Sequence, residues 1–200
     1  MNDINEFCEK LGSTSPTPGG GAAAALTLAL AAGCAEKAAR FSIQESEKHG
    51  KTVKIFAEIR GIGIQLSNND QTAFSGWQEA RRLPKNGDAE KKIRAEKINF
   101  YVAECVRVPF EICKNALRLT KAILDFAPNC NRHLISDAGI GAFLSDSAFE
   151  AGRINIEINK PHLKDNKLLD EINLFFSREY ENFKSSNQEI ASLCGKILKE

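Results

Sequence analysis

The stretch from Ala22 to Ala35 constrains this chain more than any other, because it is apolar and built mostly of alanine, interrupted only by Thr27 and Gly33. Small side chains on every face of a helix let neighbouring helices approach closely, so this segment is expected to be helical to about Ser42 and central to a bundle. The run is shorter than the ~20 apolar residues that span a bilayer. Asp3, Glu6 and Glu9 also stand where a secretory leader carries its basic residues. No membrane contact is expected. The run follows a loop, Ser13 to Gly21, reading STSPTPGGG.

Elsewhere the apolar periodicity is helical, with no convincing strand alternation. Ile4, Phe7, Cys8 and Leu11 form a short stripe, with Asp3 and Glu6 as a capping-box-like start and Gly12 as a stop. A second helix is predicted from about Thr52 to Arg82, and a third from Asp88 to Phe126. Pro109 should kink the third, because the carbonyl of Cys105 loses its donor. A loop from Ala127 to Leu134 leads to a fourth helix starting at Ser136 or Asp137, and a last one runs from Leu168 to Ile197 with a break near Ser185. No linker or internal repeat divides the chain. The expectation is one all-α domain over residues 1–200, an up-and-down bundle of long helices.

Composition excludes several function classes. Lys and Arg number 27 against 26 Asp and Glu, a net charge of +1, and a nucleic-acid binder would carry a basic excess. A chain of 200 residues can bury roughly 70% of its unfolded surface and needs no disulfide or metal staple. The six cysteines form no C-x-x-C pair, and His49, His133 and His162 lie far apart, so no metal site is expected. The cysteines read as small buried hydrophobes in a reducing cytoplasm. Twelve Phe against two Tyr and one Trp suggest dry packing.

Four features depart from this structural pattern. Pro16, Pro18 and Gly19 to Gly21 open a helix with unshielded N–H groups, which suits an anion; the alternative is a stiff loop with glycines for close packing. Asp70 falls on an apolar stripe where leucine is expected; it is either a buried acid or base, or the stripe turns outward there. Ser136 and Asp137 sit at a helix start, as an ordinary N-cap or as site residues. Gly139, Gly141 and Gly152 each cost that helix up to about 1 kcal/mol, so close packing requires them. Asn155 and Asn159, one turn apart, either read the edge of a heterocycle or end the helix through local bonds.

Together these residues resemble the cyclodeaminase/cyclohydrolase family, which comprises the C-terminal domain of formiminotransferase-cyclodeaminase and stand-alone bacterial methenyltetrahydrofolate cyclohydrolases. Its segments are matched in order by Ser15-Pro-Thr-Pro-Gly-Gly-Gly, Asp70-x-x-Ala-Phe, Leu83-Pro-Lys85, Val108-Pro109, Ser136-Asp-Ala-Gly and Asn155-Ile-x-x-Asn159. The resemblance implies a helical homodimer acting on one-carbon-loaded tetrahydrofolate, with no metal and no cofactor beyond that substrate. It implies Asp70 and Asp137 as catalytic carboxylates. Pro18, Gly19, Gly20, Gly21, Arg40, Lys85, Ser136 and Asn155 are the implied substrate contacts. Hydrolysis of 5,10-methenyltetrahydrofolate is the expected activity, because no formiminotransferase domain is attached. The alternatives are a formiminotetrahydrofolate cyclodeaminase and a non-catalytic folate-binding or scaffold subunit.

Two departures stand out. Arg40 replaces the family's asparagine, and Gln44 to Glu47 bring acidic residues into its basic cluster. Ala22 stands where a serine is common.

Overall fold

The alanine-rich segment forms α2, Gly20–Ser42, and the other helices are arranged around it. They are α1 (Ile4–Leu11), α3 (Glu47–Arg82), α4 (Asp88–Phe126), α5 (Ile135–Asn159) and α6 (Asn166–Ile197). The computed structural model describes residues 4–42 and 47–197, the side chains of 47–49 excepted. Among these residues there is no strand, and the chain is an all-α bundle. Helices α2, α3, α4 and α5 form its four-membered core, α6 packs against α4 and α5, and α1 makes few contacts beyond buried Phe7.

Glycines decide how closely the core helices meet. A Cβ on Gly63 of α3 would lie 2.8 Å from the amide nitrogen of Ala29 and 2.9 Å from the carbonyl oxygen of Ala25. On the other side, a Cβ on Gly141 of α5 would lie 2.9 Å from the carbonyl oxygen of Ala31. So α2 is held on both flanks by backbone-to-backbone contact, which only alanine and glycine permit. By length and composition alone α2 could cross a membrane, contrary to the short-run argument, but most of it is buried inside the bundle.

The α6 seam is aromatic. Phe149 stacks on Phe183 at 4.0 Å between ring centroids, and Phe110 meets Phe175 edge-on at 5.2 Å. Dry packing thus holds for these rings, whereas Phe41, Phe100 and Phe143 are exposed.

Several predicted boundaries shift. Helix α3 begins at Glu47 rather than Thr52, and α6 runs through Ser185 without a break. Helix α5 starts at Ile135, straight after a 3-10 turn at Arg132–Leu134, and its N-cap is Leu134 with no side-chain cap bond. Ser136 and Asp137 lie in the first turn and do not cap it, because the preceding turn already delivers the chain in helical geometry. Glu6 pairs with Lys10 at 2.6 Å, and Gly12 closes α1 by donating to the Cys8 carbonyl at 3.0 Å. Asp3 and the segment 43–46 with its acidic substitutions lie outside the described residues.

Pro109 sits inside α4, which continues through it. The Cys105 carbonyl that proline leaves without a donor is met from α5, where Nδ2 of Asn159 donates to it at 3.5 Å. A Cβ on Gly152 would lie 3.0 Å from the Pro109 carbonyl oxygen, so α5 is notched at this same point.

The glycine contacts generate a paired prediction. Replacing Gly63 with Ala should cost about 1–3 kcal/mol, since backbone must move to admit the methyl group. Gly61 meets nothing within 4 Å, so Gly61→Ala should raise stability by about 0.5–1 kcal/mol. Urea unfolding of the two variants beside the parent checks both signs.

Candidate active site

Three contacts fix the direction of the helices around α2. Arg60 Cδ packs 3.7 Å from a Cβ position on Gly33, Gly63 meets Ala25 and Ala29, and Asp70 meets Gly21. Helix α3 is therefore antiparallel to α2, and Asp70 arrives at the N-terminus of α2. Helix α5 is antiparallel too, from Asp137 beside Lys37, through Gly141 on Ala31, to Asn159 on Cys105.

At this mouth of the bundle Asp70 is half-buried. A Cβ on Gly21 would lie 2.6 Å from its Cγ, so only glycine leaves room for the carboxyl group. The carboxyl accepts a hydrogen bond from the Ala22 backbone N–H, one of the first-turn donors that have no partner within their own helix. Asp70 caps α2 from the neighbouring helix. Burial pushes its pKa above the ordinary aspartate value of 3.8, and the Ala22 N–H only partly offsets that shift. The stripe carrying Asp70 does not turn outward.

The glycine loop takes a different form from the one expected. No glycine has positive φ. Gly19 and Gly20 meet nothing within 4 Å, so the close approach belongs to Gly21 alone, with buried Pro18 behind it. Gly19 starts the helix, its carbonyl accepting from Ala23 at 3.1 Å.

Cys105 faces the same carboxylate from α4. Burial first, then the charges of Asp70 and Glu104, push its thiol up to about 12, so it stays protonated near neutrality. The Asn155 and Asn159 amides donate to the Ala151 and Asn155 carbonyls at 2.8 and 2.9 Å. These bonds tie the amides to their own helix and use their N–H donors, leaving the side-chain oxygens as acceptors.

Asp137, Ser136 and Arg40 lie at the opposite end. Lys37 Nζ approaches Asp137 Oδ2 at 3.4 Å. Gly21 and Lys37 are both on α2 and are separated by about 24 Å at 1.5 Å per residue. The two predicted catalytic carboxylates are therefore not brought together within one chain. Exposed Lys85 is also away from Asp70, in the α3–α4 turn beyond Arg82, which itself lies about 18 Å along α3 from Asp70. Past Asp70 those two helices project as an arm, closed by Tyr101, whose ring lies on Gly76 with Cδ1 2.7 Å from a Cβ position there.

Sequence reasoning missed Glu36. This buried carboxylate joins Arg40, at 2.6 Å from its Oε1, to Arg60, at 2.8 Å from its Oε2. Burial acts to raise its pKa, but the two guanidinium groups outweigh that and hold it below the ordinary glutamate value of 4.5. The available signal was a single acid among the alanines of a core helix. Among the described residues no three His, Cys, Asp or Glu side chains converge as a metal site would require.

The formiminotransferase-cyclodeaminase family model matches residues 3–176. The chain belongs to this family. It is 29% identical over 178 residues to the methenyltetrahydrofolate cyclohydrolase of Methylorubrum extorquens, a match covering 84% of each chain. It is 24% identical over 199 residues to the formimidoyltransferase-cyclodeaminase of Gallus gallus, covering 96% of this chain but 37% of that protein. The solved formiminotetrahydrofolate cyclodeaminase of Thermotoga maritima superposes with a TM-score of 0.84 over 98% of this chain and 97% of its own, at 21% identity, and shares the fold.

The two-arginine clamp on Glu36 predicts how stability depends on pH. Its lowered pKa contributes stability that is present above 4.5 and lost as pH falls through the lower folded value. Glu36→Gln should cost about 1–3 kcal/mol at pH 7. The gap to the parent should close in strong acid, as read by urea unfolding across pH.

Proposed function

We propose that the protein hydrolyses 5,10-methenyltetrahydrofolate to 10-formyltetrahydrofolate. The observation that carries this reading is the half-buried Asp70 carboxyl, held at the α2 N-terminus by Gly21 with its pKa raised. The match to the M. extorquens cyclohydrolase over most of both chains favours hydrolysis. A cyclodeaminase reading is favoured by the G. gallus relative, which pairs with 96% of this chain. Both reactions pass through a tetrahedral carbon between two nitrogens, so one acid–base group serves either.

In the hydrolytic direction Asp70 takes one proton from water as its oxygen bonds to the amidinium carbon. When the resulting carbinolamine collapses, the carbon–N5 bond breaks and N5 receives a proton. The second water proton is released as the formyl C=O forms. A carboxyl with a raised pKa can pass through both protonation states near the working pH. The first-turn N–H groups after Pro18 and Gly19 offer a place for an anionic part of the substrate, as helix N-termini do. Asn155 contributes an acceptor for a heterocycle edge. From the opposite end of α2, Asp137 can supply negative charge to the cationic substrate only as a residue of a second copy of the chain. Arg40 is a cation for the glutamate tail, Lys85 a second contact for the anionic part held at the glycine loop, and Ser136 a hydroxyl beside Asp137. The proposal includes a homodimer, a cytoplasmic location and no cofactor beyond the folate itself.

Methenyl absorbance tests the reading directly. It should fall with methenyltetrahydrofolate; a rise with 5-formiminotetrahydrofolate instead would establish the deaminase. No change with either, despite folate binding, would leave a non-catalytic subunit. Asp70→Asn should lower turnover about a hundredfold or more and remove an acid limb lying above pH 3.8 in the parent profile. Gly21→Ala should displace the carboxyl and lower turnover with little loss of stability, because a flexible side chain yields to the methyl group. Gly20→Ala should leave both unchanged. Stopped-flow rates beside thermal melts separate these outcomes.

A further inference from the structure

Helix α3 runs on past the start of the helix it packs against. Gly63 and Asp70 meet α2 at Ala25, Ala29 and Gly21, and α2 begins at Gly20. At about 100° per residue, Phe74, Trp77 and Arg81 continue that face of α3, within about 40° of Asp70. Both aromatic residues are half-buried there, and Arg81 is exposed.

The arm does not need these side chains for its own packing. Gly76 lies under Tyr101 of α4, and buried Ala73 and Ala80 stand one turn to either side of it. Small residues thus make the α3–α4 seam, and helical spacing sets the large rings away from it. The rings instead meet each other. Phe74 and Trp77 lie 5.6 Å apart between centroids with their planes 35° apart. The Arg81 guanidinium carbon sits 4.7 Å from the Trp77 ring centroid. Among the described residues no carboxylate pairs with Arg81, whose backbone carbonyl accepts from Arg94 Nη2 of α4 at 3.3 Å.

Along α3 the order is therefore carboxyl, two rings, cation. Trp77 lies about 10 Å of helix beyond Asp70 and Arg81 about 16 Å. Side chains lean towards the N-terminus of their helix, which brings the rings and the guanidinium back towards Asp70. Methenyltetrahydrofolate has the same order. Its reacting carbon is followed by the p-aminobenzoyl ring on N10, then by a glutamate whose carboxylates lie on the order of 10 Å out at ordinary bond lengths.

We propose that Trp77, backed by Phe74, stacks on the p-aminobenzoyl ring of the substrate and that Arg81 pairs with the glutamate bonded to that ring. This rests on the folate reading above. It gives both residues a part in binding and none in proton transfer. Fixing the ring and the carboxylate along the stripe holds the amidinium carbon beside Asp70.

Kinetics on two substrates separate this from a structural role: 5,10-methenyltetrahydrofolate, and 5,10-methenyltetrahydropteroate, which lacks the glutamate. Arg81→Gln should raise KM about tenfold for the first, the scale of one lost charge-assisted bond, and leave it unchanged for the second. Trp77→Leu should raise KM about tenfold for both, with kcat retained, and Trp77→Phe should recover most of that loss. An equal Arg81→Gln effect on the two substrates overturns the proposal, as does parental KM in either variant. Arg81 is exposed, so its variant decides the matter even where Trp77→Leu fails to fold.

Trp77 is the one tryptophan of the chain, so its fluorescence gives a reading independent of turnover. Saturation with 5-formyltetrahydrofolate should quench it, with Kd about tenfold weaker in Arg81→Gln. Unchanged emission at saturation, or a parental Kd in that variant, overturns the proposal. A parent that binds 5-formyltetrahydrofolate without hydrolysing the methenyl form fails the hydrolytic reading alone, and the Kd still decides the stripe. A parent that does neither fails the folate reading and this proposal with it.

Discussion

The close approach of α2 to the backbones on either side of it is the constraint on which the rest of the structure depends. Gly63 and Gly141 remove the side chains that would hold α3 and α5 away, and the alanines of α2 fill the remaining space. At such short separation the helices keep a fixed register. The register delivers Asp70 to the first turn of α2, where a third glycine, Gly21, leaves room for its carboxyl group. One packing rule therefore builds the core and places the acid. Acquiring a larger side chain at any of these glycines would move a helix or the carboxyl.

Two carboxylates on this scaffold show how environment divides similar groups. Glu36 is buried between two guanidinium groups, and these overcome desolvation and keep it ionised. Asp70 is buried with one backbone N–H and no cation, and desolvation prevails. The first is suited to holding α2 against α3. The second is suited to exchanging a proton, because neither of its charge states is strongly fixed. Cys105 beside it is pushed further and stays a neutral thiol.

Pro109 links the core to the mouth. By withdrawing a donor from the Cys105 carbonyl it exposes a backbone acceptor inside α4, and Asn159 from the end of α5 meets it. A residue that breaks local hydrogen bonding thereby helps hold the far end of α5 beside Asp70. The asparagine pair is thus fixed mainly by backbone carbonyls, and α5 continues through Asn155 to Asn159.

The sequence by itself determined the helical class, the central place of the alanine-rich helix, the limits of α4 and the oddity of Asp70. These follow from local periodicity and from the cost of a charge on an apolar stripe, both of which are written in residue spacing. It also marked Gly139, Gly141 and Gly152 as packing residues, and each meets a neighbour. Tertiary structure alone decided which glycine of the loop matters, since Gly19 to Gly21 are chemically identical and only Gly21 faces α3. It likewise decided the partners of Glu36 and the absence of a capping bond from Ser136 or Asp137. Above all it separated Asp70 from Asp137. Chain order and residue type give no distance between two helices; that distance is set by antiparallel packing along α2, which puts the two carboxylates at opposite ends of one rod.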